Sequence, residues 1–250
     1  MTDIILCGCC GHMGSTISEL CENDSSVNIV AGVDAYDSGK TAYPVFKSFE
    51  NLDRKADVII DFSNPSVLDS MLSYAQNTHT PVVIATTGYD EEQLATIKAA
   101  AEKVAIFFTF NMSLGINLMC SLARTATKVL GESFDIEIIE KHHNQKIDAP
   151  SGTAIMLANA ISEELEQKPL FEYDRHSKRA KRPKNEIGIH SVRGGTIVGE
   201  HEIIFAGTDE VVSIKHQAMS KKVFAAGAVN AAKFLKGKQN GMYSMEDIIQ

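Results

Sequence analysis

Two adjacent imidazoles, His142 and His143, precede Lys146, and Pro150-Ser151-Gly152-Thr153 follows as a turn that opens a helix. An imidazole near neutral pH can hold a proton and still release it. The lysine is a point positive charge, and amides at a helix start favour an anion. This set suits a small substrate that carries carboxylates and takes up a proton during reaction. The histidines at 79, 176, 190, 201 and 216 have no such neighbours in sequence. Structural or solvent-facing roles are expected for His79, His176, His190, His201 and His216.

A second set begins at Gly8-Cys9-Cys10-Gly11-His12-Met13-Gly14. It follows the apolar run Ile4–Cys7 and precedes Met13, Ile17, Leu20 and Cys21 at helical spacing. Small residues in such a turn let the backbone approach a pyrophosphate, and the helix start faces its charge. Asp34, at the end of a second strand, stands where a carboxylate accepts hydrogen bonds from an adenosine ribose. The next residue is Ala35, with no arginine to pair a 2′-phosphate. NADH is therefore expected to be tolerated or favoured, with Lys40 leaving NADPH open. Two later strand-end loops, Ala85-Thr86-Thr87-Gly88-Tyr89 and Thr109-Phe110-Asn111-Met112-Ser113, are positioned to touch a nicotinamide.

The elements that must hold these sets change character along the chain. Up to about residue 112, strands at Ile4–Cys7, Val27–Val33, Asp57–Phe62, Pro81–Ala85 and Ala105–Phe108 alternate with helices, the last over Glu91–Lys103. That alternation predicts a parallel sheet covered on both faces. From residue 113 to 220 the pattern predicts a helix over Leu114–Leu130, with Leu118, Leu122 and Val129 on its apolar side. A strand over Phe134–Glu140 and a helix over 153–165 follow. Strands over Glu186–Val192, Thr196–Phe205 and Glu210–His216 make this half an α+β domain with a mixed or antiparallel sheet. The helix Lys221–Leu235 lacks partners there, so residues 221–250 are expected to return to the first domain.

With 250 residues and a 44% hydrophobic content the chain can bury a sizeable core. A net charge of −8 argues against nucleic acid. No apolar run is long enough for a membrane span, and residues 1–6 lack a signal-peptide pattern, so a cytoplasmic chain is expected. The five cysteines read as reduced thiols, and no metal is expected. The basic run 175–184 reads as a solvated loop or a mobile attractor for an anionic substrate.

Together these segments resemble the 4-hydroxy-tetrahydrodipicolinate reductase family, formerly dihydrodipicolinate reductase, over almost the whole chain. The most specific match is Glu140-x-His142-His143-x-x-Lys146-x-Asp148-Ala149-Pro150-Ser151-Gly152-Thr153-Ala154. Supporting it are the Gly8–Gly14 loop, Asp61-Phe62-Ser63, Thr86-Thr87-Gly88, Asn111-Met112-Ser113-x-Gly115, Arg193-Gly194-Gly195, Gly199-Glu200-His201 and Gly241-Met242-Tyr243. The resemblance implies a Rossmann-like domain and a substrate domain whose sheet builds a homotetramer. It also implies NAD(P)H-dependent reduction of a cyclic imine dicarboxylate in diaminopimelate and lysine biosynthesis. His142 matches the general acid and Lys146 the second catalytic position. His143, Lys146, Ser151, Gly152 and Thr153 match the substrate positions. Gly8 to Gly14, Asp34, Ala85, Thr86, Thr87, Thr109, Phe110, Asn111 and Met112 match the cofactor positions. The chain departs from the family at His12, usually Arg or Lys, at Ala85, usually glycine, and at Met112, usually phenylalanine.

Other readings are a different two-domain dehydrogenase, a catalytically silent nucleotide sensor and a metal-dependent lyase. The first lacks the His-His-x-x-Lys segment, and the second predicts loss of His142 or Lys146. The third needs adjacent strand residues, which point to opposite faces, to share one ion.

Overall fold

The computed structural model describes residues 1–109 and 111–249. The chain divides into two compact units, one from Met1–Ser113 with the segment from Lys222 onward, the other from Leu114–Lys221.

The first unit opens with β1 (Thr2–Cys7), α1 (His12–Glu22), β2 (Val27–Val33), β3 (Val45–Phe46), β4 (Val58–Asp61), α2 (Leu68–Thr78), β5 (Val82–Ile84), α3 (Glu91–Ala100) and β6 (Ala105–Phe108). β1 is apolar from Ile4 to Cys7 because both of its faces are covered. Ile4 and Leu6 pack with Ile17 of α1 and Ile60 of β4, while Ile5 and Cys7 pack with Leu68, Met71 and Ile97 of α2 and α3. Successive side chains of a strand point to opposite faces, which produces this division. Each fully buried branched side chain contributes ~1.5–3 kcal/mol. α3 begins in a capping box: Asp90 accepts the Gln93 amide at 2.8 Å, and the Gln93 side chain accepts the Asp90 amide at 3.2 Å.

The second unit comprises α4 (Leu114–Leu130), β7 (Asp135–His142), α5 (Gly152–Ser162), β8 (Leu170–Glu172), β9 (Glu186–Arg193), β10 (Gly199–Ala206) and β11 (Val211–Ala218). Its sheet runs β11-β10-β7-β9-β8. β10 is antiparallel to both β7 and β11, whereas β9 is parallel to β7 and β8, so the sheet is mixed. α4 and α5 pack with it through Ile116, Met119, Ala123, Leu157 and Ile161 against Ile136, Ile138, Ile203 and Phe205.

The phase expected for α4 is corrected. Leu118, Leu122 and Val129 are 47%, 46% and 78% exposed, while Ile116, Met119, Cys120 and Ala123 are buried with Asn117 and Thr127. Apolar residues surround most of this helix, so its pattern leaves the buried side undecided. Packing selects the face carrying small Cys120 and Ala123, which admits a close neighbour. Thr127 remains satisfied there by donating its hydroxyl to the Ala123 carbonyl at 2.8 Å. Two ends also shift: α3 stops at Ala100, and α5 spans Gly152–Ser162, leaving Leu165 beyond it.

The chain then returns to the first unit with α6 (Lys222–Leu235), β12 (Gly241–Tyr243) and α7 (Glu246–Ile249). All pairs in that unit's sheet, ordered β12-β6-β5-β4-β1-β2-β3, are parallel. β1 lies between β2 and β4, so the chain leaves β1 in one direction and comes back on its other side. The loop after β1 therefore sits at the switch point, where open α/β sheets bind ligands. No helix among the described residues is long and apolar enough to cross a membrane.

Candidate active site

β7 carries the proton-transfer candidate by simple alternation. Ile136, Ile138, Glu140 and His142 are all buried, so the last two continue the apolar stripe of the strand. A buried carboxylate needs partners, and Glu140 has several. Arg193 at the end of β9 donates Nη1 to Oε2 and Nη2 to Oε1, each at 2.7 Å. The Ser151 amide donates to Oε1 at 3.1 Å, and His142 Nδ1 lies 2.5 Å from Oε2. Burial pushes the Glu140 carboxyl up, but the hydrogen bonds from His142 and Arg193 outweigh it and hold the group well below the ordinary carboxylate range.

Behind this pair lies His201, whose ring meets that of His142 edge to face at a centroid distance of 5.2 Å. Burial, then the charge at His142, pushes the His201 imidazole down to about 3, so it is neutral at physiological pH. Along the chain His201 stands apart from the His142 group; the fold brings it in. Its Nε2 lies 3.0 Å from Ser151 Oγ, which also caps α5 by accepting the Ala154 amide at 3.2 Å. α5 begins at exposed Gly152, followed by Thr153, so its first turn faces outward beside a fixed cap.

The segment between β7 and α5 is tied down at its base. The Gly194 amide donates to His142 O at 2.9 Å, and the Asn144 amide to Gly195 O at 3.2 Å. The carbonyl of half-buried His143 accepts the Lys146 amide at 3.2 Å. Lys146 Nζ pairs with Asp148 at 2.8 Å, and that bond holds the Asp148 carboxyl low. Asp148 is 57% exposed at its side chain, so the pair is weak and its cation is available to another carboxylate.

In the first unit, the start of α1 at Gly11 is left without a side-chain cap, as is that of α2. α3 and α5 have side-chain caps. Gly14 packs so tightly that a Cβ there would overlap the Gly8 carbonyl and lie 2.6 Å from Cys9 Cα. Asp34 fixes the loop by accepting the Cys10 amide at 3.0 Å and the Tyr36 amide at 3.1 Å. His12 is exposed at the first position of α1, with Met13 half-buried behind it. A narrow glycine loop and an uncapped helix start fit a dinucleotide's diphosphate, and a strand-end carboxylate fits its ribose hydroxyls. Exposed Lys40 borders a cavity of about 470 Å³ along α1, together with Ser38, Thr41 and Tyr43.

The remaining cofactor candidates sit at strand ends of the same sheet. Thr86 is buried and accepts the Ser63 amide at 2.8 Å, half-buried Ala85 precedes it, and Thr87 is exposed. Thr109 Oγ1 donates to Asn111 O at 3.2 Å, while Asn111 Oδ1 accepts the Ser113 amide at 2.8 Å. Met112 is buried in the core rather than displayed, and Phe110 lies outside the described residues. Asp61, which has no role legible from its neighbours in sequence, is buried and accepts the Ser63 hydroxyl at 2.5 Å, and burial raises its carboxyl.

The five cysteines are free thiols. Cys9, Cys10 and Asp34 have ligand atoms within 4.8 Å of one another, but both Asp34 oxygens already hold amides. Burial, with Cys10 beside it, pushes the Cys9 thiol up. The basic run is mostly exposed, as expected of a solvated loop, but ion pairs tie it down at three points. Arg182 reaches Glu137 at 3.0 Å and Asp135 at 2.8 Å, Arg175 pairs with Glu186, and Lys178 with Glu172.

Comparisons with known proteins match both parts of the chain. The family model described as dihydrodipicolinate reductase, N-terminus, matches residues 2–112, and that described as its C-terminus matches residues 115–249. The 4-hydroxy-tetrahydrodipicolinate reductase of Clostridium novyi (strain NT) is 48% identical over 250 residues, covering 100% of this chain and 99% of that protein. The enzyme of the same name from Caldanaerobacter subterraneus subsp. tengcongensis is also 48% identical, with the same coverage. Among solved structures, dipicolinate-bound dihydrodipicolinate reductase from Paenisporosarcina sp. TG-14 superposes with a TM-score of 0.81 at 28% identity, covering 99% of each chain. The chain belongs to the dihydrodipicolinate reductase family, whose curated members carry the name 4-hydroxy-tetrahydrodipicolinate reductase.

Proposed function

We propose that His142 delivers the proton, and Lys146 grips a carboxylate, in the NAD(P)H-dependent reduction of 4-hydroxy-tetrahydrodipicolinate to tetrahydrodipicolinate. The reaction itself follows from family membership and places the chain in diaminopimelate and lysine biosynthesis. The substrate is a six-membered cyclic imine with two carboxylates. Loss of its 4-hydroxyl as water leaves a conjugated imine, and a bound nicotinamide supplies hydride to the ring. Electron density then builds at the neighbouring carbon and the ring nitrogen, where a proton is required. His142 is suited to that donation because it is buried beside an ionised carboxylate. Lys146 and the start of α5 at Gly152 and Thr153, with His143 and Ser151 beside them, offer positive charge and amides to the two carboxylates.

The observation that carries this reading is the buried Glu140–His142 contact of 2.5 Å at the base of the lysine-bearing loop. On the cofactor side, the Gly8–Gly14 loop and Asp34 would hold the dinucleotide, with Ala85, Thr86, Thr87, Thr109 and Asn111 toward its nicotinamide. Exposed Ala35 and the acidic Asp34 favour NADH, with Lys40 as the nearest cation for a 2′-phosphate. We place the working enzyme in the cytoplasm as a homotetramer.

The test forms the substrate in situ by enzymatic condensation of pyruvate with aspartate semialdehyde, then adds this protein with NADH or NADPH. Loss of reduced-nicotinamide absorbance that needs both the condensing enzyme and this protein is expected. Folded protein that binds NADH yet oxidises neither cofactor would favour the sensor reading instead.

A further inference from the structure

We propose that Glu140, held ionised by Arg193, is the positioning residue that fixes which nitrogen of His142 exchanges the proton. The inference rests on the proton-donor role proposed for His142 and deepens it.

Three observations carry it. First, Glu140 is fully buried, and its oxygens face His142 Nδ1 at 2.5 Å and both terminal nitrogens of Arg193 at 2.7 Å. A buried carboxylate with a two-pronged guanidinium keeps its charge, because fork geometry satisfies both oxygens at once. An ionised carboxylate can only accept, so the Nδ1 facing it carries a hydrogen. Nε2 is thereby left as the nitrogen that gains and loses the proton. Second, Nε2 faces Gly199 of β10, where a Cβ would lie only 3.2 Å from it. Glycine leaves the exchanging atom uncrowded. Third, the Arg193 Nη2 that holds Glu140 also donates to the Asp148 carbonyl at 2.7 Å. One guanidinium therefore anchors both the carboxylate behind the imidazole and the end of the loop that carries Lys146.

Proton accounting is simple. The imidazolium starts with hydrogens on both nitrogens and gives the Nε2 hydrogen to the substrate carbon that has become electron-rich. The neutral ring keeps its Nδ1 hydrogen on Glu140, which stays ionised throughout. Where an amide replaces the carboxylate behind a proton-transferring imidazole and the wrong tautomer results, kcat can fall by as much as ~10⁴.

The experiment uses the full-length chain labelled with ¹⁵N-histidine, and two variants, Glu140→Gln and Gly199→Ala. Ring-nitrogen resonances, assigned with His142→Asn, are read in resting protein across a pH series, and the tautomer is taken from its alkaline end. Wild type is expected to show a hydrogen on Nδ1 and none on Nε2. Glu140→Gln should mix the two tautomers and lower kcat at least about tenfold, with substrate KM little changed. Gly199→Ala should keep the wild-type tautomer but lower kcat by crowding Nε2. Should Glu140→Gln fail to fold, Arg193→Lys, which retains the charge and loses the fork, is read the same way. A wild-type His142 with its hydrogen on Nε2 overturns the proposal. So does Glu140→Gln with wild-type tautomer and kcat. Because the tautomer is read without turnover, failure of this pairing is distinct from failure of the proposed reaction, which the wild-type assay reads alone.

Discussion

Ser151 and His201 meet side chain to side chain at 3.0 Å, joining the cap of α5 to the imidazole beneath His142. That imidazole is neutral, pushed down to about 3 by burial and then by the charge at His142. In the unfolded chain a histidine titrates near ~6.5. Between these values the unfolded state binds a proton that the folded state refuses. The contribution is therefore fully present above about pH 6.5 and is lost as pH falls from there toward about 3, at roughly 1.4 kcal/mol per pH unit. His201→Gln keeps a polar partner for Ser151 and cannot titrate. The wild-type melting temperature should fall more steeply than that of His201→Gln between about pH 6.5 and pH 5. Parallel slopes would remove His201 as the source.

The two catalytic candidates should separate in kinetics. His142→Ala should lower kcat by ~10²–10⁴-fold with substrate KM largely kept, as for loss of a general acid. Lys146→Ala removes a charge that a dicarboxylate needs in both ground and transition states, so KM should rise and kcat fall together. Steady-state kinetics on the in situ substrate decide the matter. An unchanged kcat in His142→Ala excludes it as donor, and unchanged parameters in Lys146→Ala misplace the anion site.

How much of the fold and site is legible in the sequence depends on distance along the chain. Gly8 to Gly14 and His142 to Thr153 are contiguous, and each motif lies where its element begins or ends. Residue order alone therefore locates them. Glu140 is half-legible, since it shares the two-residue period of Ile136 and Ile138, yet nothing local says its charge is buried. Arg193 and His201 are not legible as partners of His142, because they arrive on β9 and β10 through sheet pairing: Arg193 lies opposite His142 and His201 opposite Glu140. β3, β8 and β12 are two or three residues long, too short to show alternation. The ion pairs of the basic run are not legible because its acidic partners, Asp135, Glu137, Glu172 and Glu186, lie outside it.

Asp34 should govern cofactor binding. It pins the loop through the Cys10 amide and is placed at the strand end where ribose hydroxyls are held. Hydrogen bonds to a charged group contribute ~1.5–3 kcal/mol, or roughly 10–100-fold in affinity. Asp34→Ala should therefore raise the NADH dissociation constant by about that factor. NADPH should suffer less, since a carboxylate next to a 2′-phosphate is repulsive. Conversely, His12→Arg adds a fixed charge at the exposed first position of α1 and should tighten NADPH in a salt-sensitive way. Fluorescence titration with each cofactor at two ionic strengths reads both effects. Equal losses for NADH and NADPH in Asp34→Ala would place the carboxylate away from the ribose.

The proposed tetramer makes a demand on β11. This strand ends its sheet, yet it leaves Val211 64% and Val212 37% exposed. An edge strand with exposed valines invites pairing unless charge or cover protects it. β11 has Lys215 as a guard, but that ammonium is held by Glu200 at 3.0 Å. Burial of these valines between copies would explain why the strand carries them. Light scattering behind a sizing column should return four times the 27.2 kDa chain mass. Val211→Lys with Val212→Lys places like charges where two copies would meet and should shift the protein to a smaller species while the ring-nitrogen spectrum of His142 stays unchanged. A wild-type chain that runs as a monomer at every concentration tested ends the tetramer proposal. A double variant that remains tetrameric moves the interface away from β11.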